Sequence, residues 1–507
     1  MIRKFLLFIA VPFMMFFSFA PFNLGFLFIF AYSLILILTY NLKRKRRILH
    51  VFIVFLIFWF ITLHWFLIIQ VQFTFLQRIL IFFGLILLSG ALSLLWTLPF
   101  IITDPKSRSI YLLPFIFASV EFLSSIENNT AFLWLSPSYS LINYKALIQS
   151  ADIGGMYLIS AFVLMVSVLL FRIVVSRGKR QRLILITLTV FIVMGNLAYG
   201  LNALSKQYCD EFIDVSVVQP NIPGFAKEHY HEFTDMRTNM IIDYLEKLRD
   251  IDQDLIVFPE TASPVYIQRE SQFKKYIRSF ADSNNKNILM GSLRLEYNKE
   301  KKHFNYYNSA YLIESNGGME QYYDKIRPLG FAERLPFDDK FLFLKKIPLG
   351  QSDFSPGSRY TQFDTGQFSF ATYICFESMF ATIPARFAGE GAVLLVNISE
   401  DIWFVGGIGP YQHFSAGIMR SIENRRYIVR ASNPGISAVI DPAGRIVESL
   451  DMNSSGIINA EVGLNDNLTF FTRFDNIIPK ILILMLIVFY LIKIIRRKYG
   501  NKSKNSA

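Results

Sequence analysis

The chain has 507 residues, 53% of them hydrophobic and 51 of them Phe, and a formal net charge of +12. That is too long and too apolar for one soluble domain. The charge is also segregated: residues 206–475 carry 28 basic against 35 acidic side chains, and the remainder 23 against 4. The basic surplus lies beside apolar runs, where it sets membrane topology and meets anionic lipid heads; this excludes nucleic acid as its partner.

In chain order, apolar runs long enough to cross a bilayer, about 17–25 residues each, fall near 5–20, 24–41, 51–69, 79–102, 109–125, 155–173, 183–203 and 479–495. The run after Arg3-Lys4 lacks the small residues of a signal cleavage site, so it reads as a retained first span. Lys43 to Arg47 follow the second span, Lys106 and Arg108 the fourth, Arg177 to Arg182 the sixth, and Arg496 to Lys498 the eighth. Every even-numbered exit is basic. The positive-inside rule then puts both termini in the cytoplasm and residues 204–478, with the loop 126–154, on the opposite face. The expected division is a seven-helix transmembrane bundle over 1–204, an extracytoplasmic catalytic domain over 205–478, and a last span with a basic tail over 479–507.

The long segment between the seventh and eighth spans has an α/β pattern. Ile213–Val218, Asp254–Phe258, Ile288–Met290, Ala310–Ile313, Phe368–Ile374 and Val393–Asn397 are rich in β-branched and aromatic residues and predict strands. Apolar residues at three- and four-residue spacing predict helices over His231–Asp250 and Ser271–Asn284.

Three short segments here each hold one reactive residue: Phe258-Pro-Glu260, Tyr323-Asp-Lys325 and Tyr373-Ile-Cys375-Phe-Glu377. Taken singly, each has a bland reading: a carboxylate at a helix start, a surface lysine, and a cysteine packed as a small hydrophobe. Together they supply a base, an oxyanion stabiliser and a nucleophile, the set that acyl transfer by a cysteine needs. The only other cysteine is Cys209, so no disulfide framework exists; Cys375 is more useful as a free thiol. His229-x-His231 lacks a third metal ligand at suitable spacing, and no Gly-rich phosphate loop occurs, so neither metal nor nucleotide cofactor is expected.

The Glu–Lys–Cys order resembles the nitrilase (carbon–nitrogen hydrolase) superfamily. With a polytopic bundle before the domain and one span after it, the chain resembles the apolipoprotein N-acyltransferase family, helped by Glu121, Trp134-Leu-Ser136 and Asp152-Ile-Gly-Gly-Met-Tyr157. The resemblance implies an all-α transmembrane bundle of about eight helices joined to a nitrilase-like α/β/β/α four-layer sandwich on the periplasmic side of the bacterial inner membrane. It implies a cysteine that takes an acyl chain from a phosphatidylethanolamine-like donor as a thioester. The acyl group then passes to the α-amine of a diacylglyceryl-cysteine on a lipoprotein, with no cofactor and with the chain acting as a monomer. Glu260 would be the base, Lys325 the oxyanion stabiliser and Cys375 the nucleophile. Glu333, eight residues beyond Lys325, would match a second glutamate of the family, and Phe376 and Glu377 the aromatic–glutamate pair after the nucleophile. Trp403 and Phe404 would line the acyl path, or pack as core aromatics, and His413 reads by default as a hydrogen-bonded structural residue.

The chain departs from the family pattern in places. Pro-Phe-Gly-Glu becomes Gly330-Phe-Ala-Glu333, Glu228 stands where a tryptophan is usual, and Asn-Asp-Ala-Trp-Phe-Gly becomes Glu400-Asp-Ile-Trp-Phe-Val405. Leu335, Phe337, Phe341, Phe343 and Leu344 predict a hydrophobic lid. Two other readings compete. One is a membrane-anchored amidase of the same superfamily, in which water takes the acyl group. The other is a transporter, which the scarcity of ionisable residues in the spans (His64 and Glu121, with Arg78 and Arg172 at edges) disfavours.

Overall fold

The computed structural model describes all residues except 1, 70–73, 127–130, 223–229, 300–301, 331, 336–339, 341–352, 405, 475–476 and 501–507. Eight helices match the expected spans: α1 (Ile2–Phe16), α2 (Phe26–Thr39), α3 (Arg44–Thr62), α4 (Phe75–Ile102), α5 (Leu113–Ile126), then, after the short α6 (Lys145–Ile148), α7 (Ala151–Val175) and α8 (Lys179–Leu204), and finally α14 (Ile477–Gly500) at the other end of the chain. Among the described residues, α4, Arg108–Ile126, α7 and α8 are long and apolar enough to cross a membrane; Leu6–Phe16, Phe26–Thr39 and Ile477–Ile492 are shorter apolar helices. One boundary differs from the sequence reading. The third helix starts at Arg44 and ends at Thr62, so the basic cluster lies inside its first turn rather than in a loop. Arg47 is buried there and reaches Asp104 at 3.5 Å, a partner too distant in sequence for local pattern to suggest.

Between α8 and α14 lie two six-stranded sheets. The first is built from β1 (Glu211–Gln219), β2 (Leu255–Val257), β3 (Asn287–Asn298), β4 (His303–Ile313), β5 (Tyr322–Asp324) and, as its far edge, β12 (Gly456–Leu464), in the order β12-β1-β2-β3-β4-β5. The second runs β11-β10-β9-β8-β7-β6, from β6 (Gln362–Asp364), β7 (Ser369–Ile374), β8 (Leu394–Ser399), β9 (Ile428–Ser432), β10 (Ser437–Ile440) and β11 (Ile446–Leu450). Strand alternation sorts the side chains by face. Val218, Ile256, Phe258, Ile288 and Met290 pack under α9 (Tyr230–Lys247) and α10 (Gln272–Asn284), while Val215, Val217, Leu255, Val257 and Leu289 face the second sheet. Helices α11 (Thr382–Gly389) and α12 (Gly409–Asn424) cover the second sheet's outer side. The layers are thus α/β/β/α. The short α13 (Phe470–Arg473) leads back to the bundle and packs on α7.

The bundle and the sheets meet in a polar seam. Helix α7 is kinked at Gly154 and Gly155, the latter at φ +64°. The freed Met156 N–H donates to the Glu423 carboxylate at 2.7 Å, and Arg425 grips Asp152 at 2.7 Å and Gln149 at 2.6 Å. Trp134 Nε1–H donates to Gln412 Oε1 at 2.6 Å. A Cβ on Gly155 would come 2.5 Å from the Phe471 ring and sit at a backbone angle that L-residues avoid. Gly155→Ala is therefore expected to cost at least about 2 kcal/mol and to lower the thermal midpoint in detergent. Gly195→Ala on α8, where nothing lies within 4 Å of the added methyl and alanine favours the helix, should not lower the midpoint.

Candidate active site

Three strands deliver the reactive residues. Glu260 follows β2, Lys325 follows β5 directly, and Cys375 follows β7 directly. All three are buried, with relative exposures of 4%, 2% and 3%. The Lys325 ammonium lies 3.2 Å from Glu260 and 2.9 Å from Glu333. Asn308 on β4 bridges the two carboxylates, donating from Nδ2 to Glu260 at 2.6 Å and Glu333 at 2.9 Å. Glu260's other oxygen accepts from the Glu400 backbone N–H at 2.6 Å, and Glu333's from Leu329 N–H at 2.6 Å. Every oxygen of both acids is thereby held.

The turns are strained where the chemistry sits. Cys375 has φ +51° and Thr261, next to Glu260, has φ +49°, both unusual for residues with a Cβ. Gly291 lies against the second turn: a Cβ there would come 2.5 Å from Thr261 N. Glu377 braces the first. Its Oε2 accepts from Ile374 N–H at 2.7 Å, its Oε1 from Ile326 and Arg327 N–H at 2.7 and 3.0 Å, and Tyr323 OH donates to it as well. One buried carboxyl thus ties the chain leaving Lys325 to the chain carrying Cys375. Burial pushes this carboxyl up to about 7, against the pull of those donors.

Electrostatics follows from burial and proximity. Burial raises the Glu260 carboxyl above its ordinary range, and Lys325 opposes that shift. Burial works to lower the Lys325 ammonium, but Glu260 and Glu333 outweigh it and hold it well above its ordinary value. Burial, then the Glu260 carboxylate, pushes the Cys375 thiol well up, so at rest Cys375 carries S–H.

A second web backs Cys375. His413 on α12 meets Asp401 through Nδ1 at 2.8 Å, and through Nε2 meets Ser378 Oγ at 2.9 Å and the Cys375 carbonyl at 3.1 Å. Arg430 on β9 pairs with Asp401 at 2.8 Å and also donates to Asn397. Burial tends to raise Asp401, but Arg430 and His413 override it and hold the carboxyl far below its usual range. The donor atoms of Cys375, Asp401 and His413 lie within 4.8 Å of one another. Asp401 and His413 are already committed to each other, to Arg430 and to Ser378, so the trio reads as a hydrogen-bond web and not as metal ligands. His413 is, as the sequence suggested, a hydrogen-bonded residue. Cys209 is buried and free, and stands against Gly463, away from this web.

Aromatic rings connect the site to the bundle. Phe376 stacks on Phe132 at 5.8 Å, and Phe404 packs on Trp65 at 4.9 Å, Trp134 at 5.0 Å and His413 at 5.6 Å. The side chain of Trp403 lies outside the described residues, as do Glu228, His229, Val405 and, of the expected lid, Phe337, Phe341, Phe343 and Leu344; Leu335 is buried.

Comparison with known proteins agrees with both halves. A family model described as "Apolipoprotein N-acyltransferase N-terminal domain" matches residues 12–169, and one described as "Carbon-nitrogen hydrolase" matches residues 215–467. The apolipoprotein N-acyltransferase of Geobacter metallireducens is 31% identical over 361 residues, 69% of this chain and 67% of the relative. The chain belongs to the apolipoprotein N-acyltransferase family. Further relatives of the same description come from Aquifex aeolicus, 28% identical with 69% of this chain and 75% of that one covered, and Chlorobaculum tepidum, 25% identical with 76% and 77% covered. Membership makes the chain a membrane-embedded acyltransferase with a nitrilase-like fold.

Sequence reasoning missed Asn308, the bracing by Glu377, and the Asp401–His413–Arg430 web. Asn308 lies in Asn305-Tyr-Tyr-Asn308, where nothing local marks an asparagine facing two acids from other strands. Glu377→Gln would leave one of three N–H donors facing an amide N–H₂, at about 1–3 kcal/mol for each unsatisfied donor. It is expected to lower the thermal midpoint and to cut acyl transfer at least about tenfold, one decade for each ~1.4 kcal/mol of lost positioning; retained activity would show that the brace is dispensable.

Proposed function

We propose that the chain moves a fatty acyl group from a membrane phospholipid onto Cys375 as a thioester, and then to the α-amine of an N-terminal diacylglyceryl-cysteine. In this reading residues 1–204 and 479–507 are the membrane part, and 205–478 the catalytic part at the periplasmic face of a bacterial inner membrane. The contact that carries the reading is Phe376 against Phe132, which joins the residue beside the nucleophile to the segment after α5. Both substrates carry long chains, and leaving a tail in water costs about 0.8 kcal/mol per CH₂. A reacting thiol next to a residue that stacks on the bundle's Phe132 lets those chains stay in apolar surroundings.

In the first half-reaction Glu260 takes the Cys375 proton as sulfur attacks the ester carbonyl, and Lys325 faces the developing oxyanion. Collapse breaks the C–O bond, and Glu260 returns the proton to the leaving lyso-lipid oxygen. In the second, an amine attacks the thioester and the C–S bond breaks. The donor ester already holds the activation, so the exchange calls for no nucleotide. Glu, Lys and Cys would serve hydrolysis equally well; the continuity with the bundle favours a lipid-borne acceptor over water.

Mass spectrometry of Cys375 peptides after incubation with phospholipid tests the first step. A thioester-linked fatty acyl mass is expected on the unaltered chain and none on Glu260→Gln. Release of free fatty acid, with no transfer to a diacylated lipopeptide, would favour the hydrolase instead.

A further inference from the structure

The groups around Lys325 hold more negative charge than the first half-reaction uses. Lys325 faces both Glu260 and Glu333, and a third carboxyl, Glu400, stands next to them. Strands β7 and β8 run parallel with Ile374 beside Ile398, so Cys375 and Ser399-Glu400 leave the sheet on the same edge. The Glu400 backbone N–H holds Glu260 at 2.6 Å, and its own Oε2 accepts from the Thr261 hydroxyl at 2.6 Å. Glu260 and Glu333 are buried, whereas Glu400 is half-buried. Beside the two acids an acceptor is left open. Asn308 spends Nδ2 on the two acids and keeps a buried Oδ1 with no partner among the described residues, a place for an N–H donor.

An acceptor α-amine, with an ordinary pKa of about 7.7–8.0, arrives largely as an ammonium at neutral pH. It cannot attack until it loses a proton, and Glu260 is by then close against Lys325. Resting on the acyl-transfer reading above, we propose that Glu400 receives the acceptor's α-ammonium and takes one proton from it, so that a neutral amine meets acyl-Cys375.

The protons balance. R–NH₃⁺ passes one proton to the Glu400 carboxylate, and the amine forms the C–N bond at the thioester carbon. The nitrogen's second proton goes to Glu260, the C–S bond breaks, and Glu260 returns that proton to the Cys375 thiolate. Glu400 then releases its proton to water. The groups facing Glu400 are Thr261 and Glu260 after β2, Lys325 after β5 and Arg237 from α9. Burial pushes its carboxyl up to about 7; the Thr261 hydrogen bond lowers it, Glu260 adds to the rise, and Arg237 and Lys325 oppose it. That value lies within about one unit of the amine it would serve, the match an efficient proton acceptor needs.

The two half-reactions of the full-length enzyme in detergent separate the possibilities. Glu400→Gln keeps an oxygen for Thr261 and the backbone N–H for Glu260. Because Glu400 also braces the turn beside Glu260, acylation of Cys375 by phospholipid is expected to slow, but at least fivefold less than transfer does. Transfer to a diacylated lipopeptide at pH 7 should fall at least tenfold and recover towards pH 9, where the amine is already free. Transfer to hydroxylamine, uncharged at neutral pH, should be spared. Glu400→Asp, which keeps a carboxylate, should transfer faster than Glu400→Gln. Equal slowing of both half-reactions, equal loss on both acceptors, or unchanged lipopeptide transfer would overturn the role of Glu400. Absence of any Cys375 thioester in the unaltered chain would instead count against the acyl-transfer reading itself.

Discussion

The arrangement depends on one buried cation. Lys325 sits between Glu260 and Glu333, all three nearly out of water. Burying such charges is expensive unless each oxygen and proton is partnered, and removing one member leaves the others uncompensated. Asn308, Leu329 N–H and Glu400 N–H supply the remaining partners, so the triad draws β2, β4, β5 and the end of β8 to one point. The stacking of two sheets across an apolar middle layer supplies the framework. The ion triad fixes which strand ends must coincide within it.

Around that centre, strain and bracing go together. Cys375 and Thr261 occupy backbone angles that cost energy for residues with side chains, and each is clamped by polar groups from elsewhere in the chain. Glu377 holds the first turn, while Glu400, Arg237 and the close approach of Gly291 hold the second. The His413–Asp401–Arg430 web reaches the Cys375 carbonyl through His413 Nε2. The same His413 stacks on Trp134 and meets Phe404 edge-on, so the polar backing of Cys375 is continuous with the aromatic surface of the bundle.

Much of this was legible along the chain, and the reason is local. Apolar run length and flanking charge marked the helices at the expected spans, and β-branched runs ending in Pro-Glu260 and Ile-Cys375 marked two strand ends that meet at the site. What escaped depends on partners far apart in sequence. Arg44 to Arg47 looked like a loop because nothing nearby announces Asp104 as the group that lets Arg47 be buried in a helix. The β3–β4 hairpin runs well beyond its apolar cores, since its outer half carries the exposed Glu296, Tyr297 and Phe304, held by cross-strand pairing and not by burial. Glu377 was visible as a residue, but its work, accepting N–H groups from the segment after Lys325, exists only once two strands lie side by side.

The kink in α7 has a consequence for the molecule as a whole. A helix broken after its first turn exposes the positive end of the segment that follows, and here a carboxylate from the sheet-bearing part of the chain answers that end. Arg425 reaches the other way, to an aspartate and a glutamine of the helical half. The hydrophilic portion is therefore not a detachable module: cut loose, it would carry ionised side chains shaped for counterparts it had left behind.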